Sequence, residues 1–267
     1  MKNKNCSVLN ILENKNRPNS INFIDKIFTD FIELCGDRLF GDDSSIIGGI
    51  ALLTDIPVTV IGQIRGKTAA EQFKVNYSMT HPEGFRKAIR LMKQAEKFNR
   101  PVICFVDTIG AYPGKQAEER GQSSAIANSL IEMMYLKVPV ITLLIGYGGS
   151  GGALALCAAD RIAILENAVL SVISPKACAE ILWKDINRER EAFDLLKMTS
   201  NDLFQQGIVD IIIPEPNEGA HSDESETAIK ISDYLIGEIQ SLYKLSMEEL
   251  IMQRQNKFRK LGMEKNK

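Results

Sequence analysis

Two glycine-dense segments, Asp107 to Gly114 (DTIGAYPG) and Gly146 to Gly152 (GYGGSGG), each follow an apolar run of strand-like composition, Pro101 to Val106 and Val138 to Ile145. Glycine lacks a Cβ, so consecutive peptide N–H groups can turn toward a bound atom and approach it at contact distance. A strand that enters a glycine turn and opens into a helix, here the helix-like ALALCAA, is suited to holding negative charge. The chemistry on offer is an oxyanion hole, with backbone donors of Gly151 and Gly152 aimed at an oxygen that gains charge during reaction. A second reading stays open beside it: the glycines only let a helix pack tightly on a strand.

Other chemistries find less support. The second segment lacks the lysine and the serine or threonine of a phosphate-binding P-loop. Gly146, Gly148 and Gly151 satisfy a dinucleotide GxGxxG spacing, but in mid-chain, after three earlier strand candidates. The only histidines, His81 and His221, lie far from both glycine segments in sequence, which weakens any Ser/His or Cys/His mechanism. Cys6, Cys35, Cys104, Cys157 and Cys178 are scattered and form no CxxC pair, so they read as buried thiols and no metal site is expected. A formal charge of −2 removes any whole-protein argument for nucleic-acid binding. No apolar stretch reaches the roughly 18 residues of a membrane span, and MKNKNCSVLNILENKN has no signal-peptide core, so the expected location is cytoplasmic.

The elements that must position the glycines follow from periodicity. Residues 1–16, rich in Asn and Lys, are expected to be a loose leader, with a single domain over 17–267. Ile21, Ile24, Ile27, Phe28, Phe31 and Leu34 predict one helix, stopped at Gly36. Ile46–Leu53 and Val58–Ile64 read as a hairpin-like strand pair. Thr80 and Glu83 predict a capping box for a helix over 81–98. Its face of Arg86, Arg90, Lys93 and Lys97 is either a solvated stripe or an attraction for an acidic partner. A helix over 117–134, strands near 161–165 and 168–173, and a helix from Ser174 and Pro175 to Trp183 come next. Helices near 187–198 and 199–206, a strand over 208–213 and amphipathic helices over 222–243 and 246–261 complete an α/β pattern.

DTIGAYPG, AEERGQSSAIA (117–127), GYGGSGGALAL, SVISP (171–175), ILWKD (181–185) and IPEPNEGAH (213–221), in this order, closely resemble the α-subunit family of bacterial acetyl-CoA carboxylase carboxyltransferases. HPEGFRKAIRLMKQAEKF (81–98) and GDRLFGDD (36–43) fit as well. The resemblance implies a crotonase-like (ClpP-like) superhelix of ββα units, extended by the C-terminal helices. It implies two α and two β chains that move CO2 from carboxybiotin, on a separate biotin carboxyl carrier protein, to acetyl-CoA, giving malonyl-CoA for fatty acid synthesis. A biotin carboxylase using ATP would charge the carrier, and zinc would sit only on the β chain. The matching positions for the pair that meets the biotin ureido oxygen are Gly151 and Gly152. Gly110, Ala111, Gly148 and Gly149 would face the same cavity, with Tyr112 and Pro113 stiffening the first loop.

Three motifs depart from the family pattern: Ile109 stands where proline is usual, Tyr147 where glutamate is usual, and Lys176 and Ala177 replace Glu-Gly. The departures leave open a neutral variant, a paralogue acting on another acyl-CoA, and a subunit without catalytic donors.

Overall fold

The computed structural model describes residues 4–263. Helices α1 (Lys4–Leu12) and α2 (Ser20–Ile27) precede strands β1 (Thr29–Glu33), β2 (Ile46–Leu53) and β3 (Ile56–Gln63). Next come α3 (Ala69–Lys74), β4 (Met79–Thr80), α4 (Pro82–Lys97), β5 (Val102–Thr108) and β6 (Gly110–Ala111). Helices α5 (Lys115–Glu119) and α6 (Gln122–Tyr135) lead to β7 (Val140–Gly149), α7 (Ser150–Leu154), β8 (Arg161–Leu165) and β9 (Val169–Ser171). The remainder is α8 (Pro175–Trp183), α9 (Glu189–Leu196), α10 (Ser200–Gln205), β10 (Ile211–Ile213), α11 (Glu224–Leu242) and α12 (Met247–Lys260).

The main sheet runs β1-β2-β3-β5-β7-β8-β10, with β9 added to the end of β7; β4 and β6 form a separate parallel pair. The β1-β2-β3 edge is antiparallel, and β3 onward is parallel. Every residue of β5 is buried, which is why this strand reads as a continuous apolar run rather than an alternation. Phe85, Ala88, Leu91, Met92 and Ala95 of α4 are fully buried, and Ala88, Leu91, Met92 and Ala95 join the sheet's core.

Several expectations change. The helix expected over 21–34 stops at Ile27, and Phe31 and Leu34 pack against the core from the sheet edge instead. A short apolar run fits either period, and here pairing with β2 decides. The loose leader contains α1, whose Leu12 is buried with Val169, Phe193 and Met198. The capping box of α4 does not form: His81 is the N-cap without a side-chain bond, Thr80 lies in β4, and Glu83 turns to Arg120 at 2.7 Å. The helix over 117–134 is broken at Gly121, φ +83°. Cys104 and Cys157 are buried, whereas Cys35 is exposed and Cys178 half-exposed; the side chain of Cys6 lies outside the described residues.

The basic stripe of α4 divides: Arg86 and Arg90 are half-buried and bound within the chain, whereas Lys93 and Lys97 are exposed to solvent. Arg86 reaches Asp37 at 2.7 Å, and Arg90 donates to the carbonyls of Leu34 and Gly36 at 2.6 and 2.9 Å. Lys93 pairs with Glu132 at 3.3 Å. Asp37 Oδ1 accepts the N–H groups of Leu39, Phe40 and Gly41, which fixes the GDRLFGDD loop. Burial alone would push its pKa up, but these donors and Arg86 outweigh burial and hold it at about 2. A depressed folded pKa stabilises the protein above the unfolded value of 3.8 and is lost as pH falls through about 2. The urea midpoint of the native chain should therefore exceed that of Asp37→Asn at pH 5, by roughly 2 kcal/mol of stability, and converge on it between about pH 4 and 2.

Candidate active site

The two glycine segments meet backbone to backbone. A Cβ on Gly149 would lie 2.3 Å from the carbonyl carbon and oxygen of Ile109, and one on Gly152 would lie 2.5 Å from Gly110 C and 2.6 Å from Ala111 N. Gly148 is equally closed, by Leu170 Cδ1 at 2.7 Å and Val169 O at 2.9 Å. These three glycines are needed for contact, so the tight-packing reading holds for them. Gly151 is different: its nearest neighbours are Ile126 atoms at 3.7 and 3.9 Å, ordinary contacts. Packing gives no reason for a glycine there.

The second segment is also less of a turn than its composition suggests. β7 continues to Gly149 because Tyr147, Gly148 and Gly149 pair with Val169, Leu170 and Ser171 of β9. The turn is concentrated at Ser150, a non-glycine residue with φ +47°, a conformation costing on the order of 1 kcal/mol or more. A left-handed residue followed by a helical one directs consecutive N–H groups into one concavity. Here those groups belong to Ser150, Gly151 and Gly152, the first turn of α7, where N–H groups have no intrahelical acceptor and Gly149 offers no side-chain cap. The helix is only five residues long, shorter than ALALCAA suggests, so the local donors matter more than a macrodipole. Gln63 Nε2 donates to Gly152 O at 2.8 Å and holds the turn from below.

Around the first segment, β6 pairs with β4, and Gln122 Nε2 donates to the carbonyls of Thr80 and Tyr112 at 2.8 and 3.0 Å. The N–H of Gly110 donates to Thr108 Oγ1 at 3.1 Å, so this donor is engaged within the loop. Gly110 has φ +150° and open space at its Cβ, and Ala111 is half-buried. His81, distant in sequence, stacks on Tyr112 with ring centroids 4.1 Å apart. A cavity of about 670 Å³ opens on Ser150 and Leu154, lined further by Leu170, Val172, Leu196 and Lys197. A second, of about 580 Å³, is reached by Asp107, Arg65, Lys67 and Arg17.

The departing residues find local explanations. Tyr147 lies under the Arg65 guanidinium, 4.8 Å from its ring centroid, and its hydroxyl faces Glu13 at 3.4 Å. Burial and the Glu13 carboxylate push the phenol up to about 12, so it stays neutral. Ala177 is inside α8 with its N–H on Ser174 Oγ at 3.2 Å, so its Cβ meets no left-handed backbone and carries no strain. Lys176 is exposed and 3.9 Å from Glu189. Ile109 is 54% exposed at the rim of the loop. Sequence reading missed Ser150, Gln63, Arg17 and Arg65; the spacing signal was glycine, and none of these carries it.

The family model described as acetyl co-enzyme A carboxylase carboxyltransferase-like matches residues 3–262. The acetyl-coenzyme A carboxylase carboxyl transferase subunit alpha of Listeria welshimeri is 53% identical over 247 residues, 92% of this chain and 78% of that relative. Among solved structures, transcarboxylase 12S superposes with a TM-score of 0.64 at 20% identity over 86% of this chain. The beta subunit of P. aeruginosa geranyl-CoA carboxylase gives 0.65 at 15% identity over 93%. The chain spans 44% of each of those two longer chains, and at such identities the likeness concerns the fold, the expected crotonase-like one. By sequence, the chain belongs to the acetyl-CoA carboxylase carboxyltransferase family, as its α subunit.

Proposed function

We propose that this subunit forms the biotin side of an acetyl-CoA carboxyltransferase, with the N–H groups of Ser150, Gly151 and Gly152 holding the ureido oxygen of carboxybiotin. Carboxybiotin, presented by a biotin carboxyl carrier protein, supplies a carboxyl group whose departure places negative charge on that oxygen. Donors already fixed before the charge develops stabilise it more than the neutral ground state, and each contributes about 2.7–4 kcal/mol in comparable sites. The observation that supports the reading is the left-handed backbone of Ser150 at the start of α7, beside Gly151, which has no packing reason to be glycine. Gly148 and Gly149 act by close packing, and Gly110 and Ala111 form the wall against which Gly152 rests. His81 adds no base to this scheme; the scarcity of histidine suits a reaction governed by charge stabilisation.

The acetyl-CoA would be bound by a β subunit bearing the zinc, in an assembly of two α and two β chains, downstream of an ATP-using biotin carboxylase. No helix among the described residues is long and apolar enough to cross a membrane, and we place the reaction in the cytoplasm. The purified α–β complex, supplied with carboxylated carrier and a panel of acyl-CoAs, tests the proposal. Carboxylation of acetyl-CoA in preference to longer thioesters is expected. Preference for another thioester would identify a paralogue, and transfer to none would leave a subunit without catalytic donors.

A further inference from the structure

We propose that Arg17 and Asp107 are positioning residues for carboxyl transfer, holding a bulge in β7 that sets where the Ser150–Gly152 amides point; this rests on the oxyanion reading of those amides. β5 and β7 stay in register to Val106↔Leu144 and resume at Thr108↔Gly148. One residue of β5, Asp107, therefore stands opposite three of β7: Ile145, Gly146 and Tyr147. A bulge leaves backbone groups without ladder partners, and bulges next to active sites redirect the chain. Buried backbone groups require partners from elsewhere.

Two side chains supply them. The Ile145 carbonyl accepts from Arg17 Nε at 3.1 Å and Nη2 at 2.9 Å, across 128 residues of sequence. The Tyr147 N–H donates to Asp107 Oδ1 at 2.9 Å. The Asp107 carboxyl also occupies the space beside Gly146, where a Cβ would lie 2.2 Å from Oδ1. Arg17 is itself fixed by Glu215 through contacts of 2.9 and 2.6 Å, and Glu215 accepts further from the Asn167 and Ala220 N–H groups at 3.1 and 2.8 Å. Arg17, Asp107 and Glu215 are 7%, 4% and 7% exposed. Burial pushes the Asp107 carboxyl upward in pKa, opposed by Arg65, the Tyr147 N–H and Arg17.

From Tyr147 the chain has three steps to Ser150, and over Tyr147 to Gly149 it is held by β9 on its other edge. With the bulge fixed on one side and β9 on the other, Ser150 is forced into the left-handed turn. Asp107 thus acts through Tyr147, as an acceptor, and need not touch substrate.

The test uses the α–β complex with biocytin as carboxyl acceptor from malonyl-CoA, together with amide hydrogen exchange. Asp107→Leu keeps the number and branching of the side-chain heavy atoms, in a somewhat larger group, and loses the acceptor. Its kcat should fall about tenfold or more with KM for malonyl-CoA within about twofold, since an aligned donor matters only in the transition state. Exchange at Tyr147 to Gly149, the stretch held by Asp107 and β9, should quicken by about tenfold while β5 and β8 stay protected. Asp107→Asn, which keeps an oxygen acceptor, should restore kcat to within about threefold of native. Arg17→Lys keeps the charge beside Glu215 but cannot offer two donors to one carbonyl, and should show the same exchange signature where Asp107→Leu gives no soluble complex. Unchanged exchange at 147–149 overturns the proposal whatever the turnover, as does a loss of kcat that Asp107→Asn fails to restore. If the native complex transfers nothing to biocytin while exchange still responds, the oxyanion reading fails and the clamp stands.

Discussion

Gly152→Ala is expected to lower carboxyl transfer by about 10²- to 10³-fold, the cost of losing one aligned oxyanion donor. The added methyl would lie 2.5 Å from Gly110 C and 2.6 Å from Ala111 N, both backbone atoms that cannot rotate away. Either α7 lifts from β6 or the Gly110 loop retreats, and a shift near 1 Å at a reacting centre is enough for about a 10²-fold loss. The same overpacking should destabilise the fold by about 1–3 kcal/mol, so thermal melting and complex formation must be recorded beside the rate. Gly151→Ala supplies the contrast. Its methyl meets only Ile126 at 3.7 and 3.9 Å, keeps the N–H and needs no unusual backbone, so stability should stay within about 0.5 kcal/mol of native. Any loss in Gly151→Ala then reports obstruction of the concavity rather than damage to the fold. A Gly152→Ala complex that assembles and turns over like the native one would remove the oxyanion role.

Arg254→Ala should lower stability by about 3–5 kcal/mol. Arg254, on α12, is 1% exposed and reaches Asp160 through Nε at 2.8 Å and Nη2 at 2.7 Å. It also donates to the carbonyls of Met133, Leu136 and Val138 at 2.5, 2.7 and 3.0 Å. Asp160 in turn accepts the Val140 N–H at 2.8 Å, so this network fixes the end of α6 and the first residue of β7. Truncation leaves a buried carboxylate without a counter-charge and three carbonyls without donors. The melting temperature should drop by about 6–20 °C. Arg254→Met with Asp160→Asn removes the uncompensated charge and should recover part of that loss; a double variant no better than Arg254→Ala would show that the carbonyls, not the charge, dominate.

The glycine segments, the strand pairs and the family were legible because each depends on local residue type or on a run of ordered motifs. DTIGAYPG and GYGGSGG are visible as spacing, and the fully apolar run at 102–106 announces a buried parallel strand. Boundaries were less so. Phe31 and Leu34 fit a helical stripe as well as a sheet edge, and only the partner strand separates the two. Thr80 and Glu83 satisfy a capping box by spacing, yet the β4–β6 pairing claims Thr80 and Arg120 claims Glu83.

By itself the sequence determined which backbone could approach an anion, because the absence of a Cβ is a property of the residue and requires no partner. It could not tell which glycine is required by close contact and which is not, since that depends on what lies opposite: backbone atoms for Gly149 and Gly152, only ordinary side-chain contacts with Ile126 for Gly151. Nor could it reveal that Ser150 makes the turn, or that Arg17, Asp107 and Glu215 hold the strand before it. Those roles arise from bonds spanning up to 198 residues, which exist only once the chain has closed on itself.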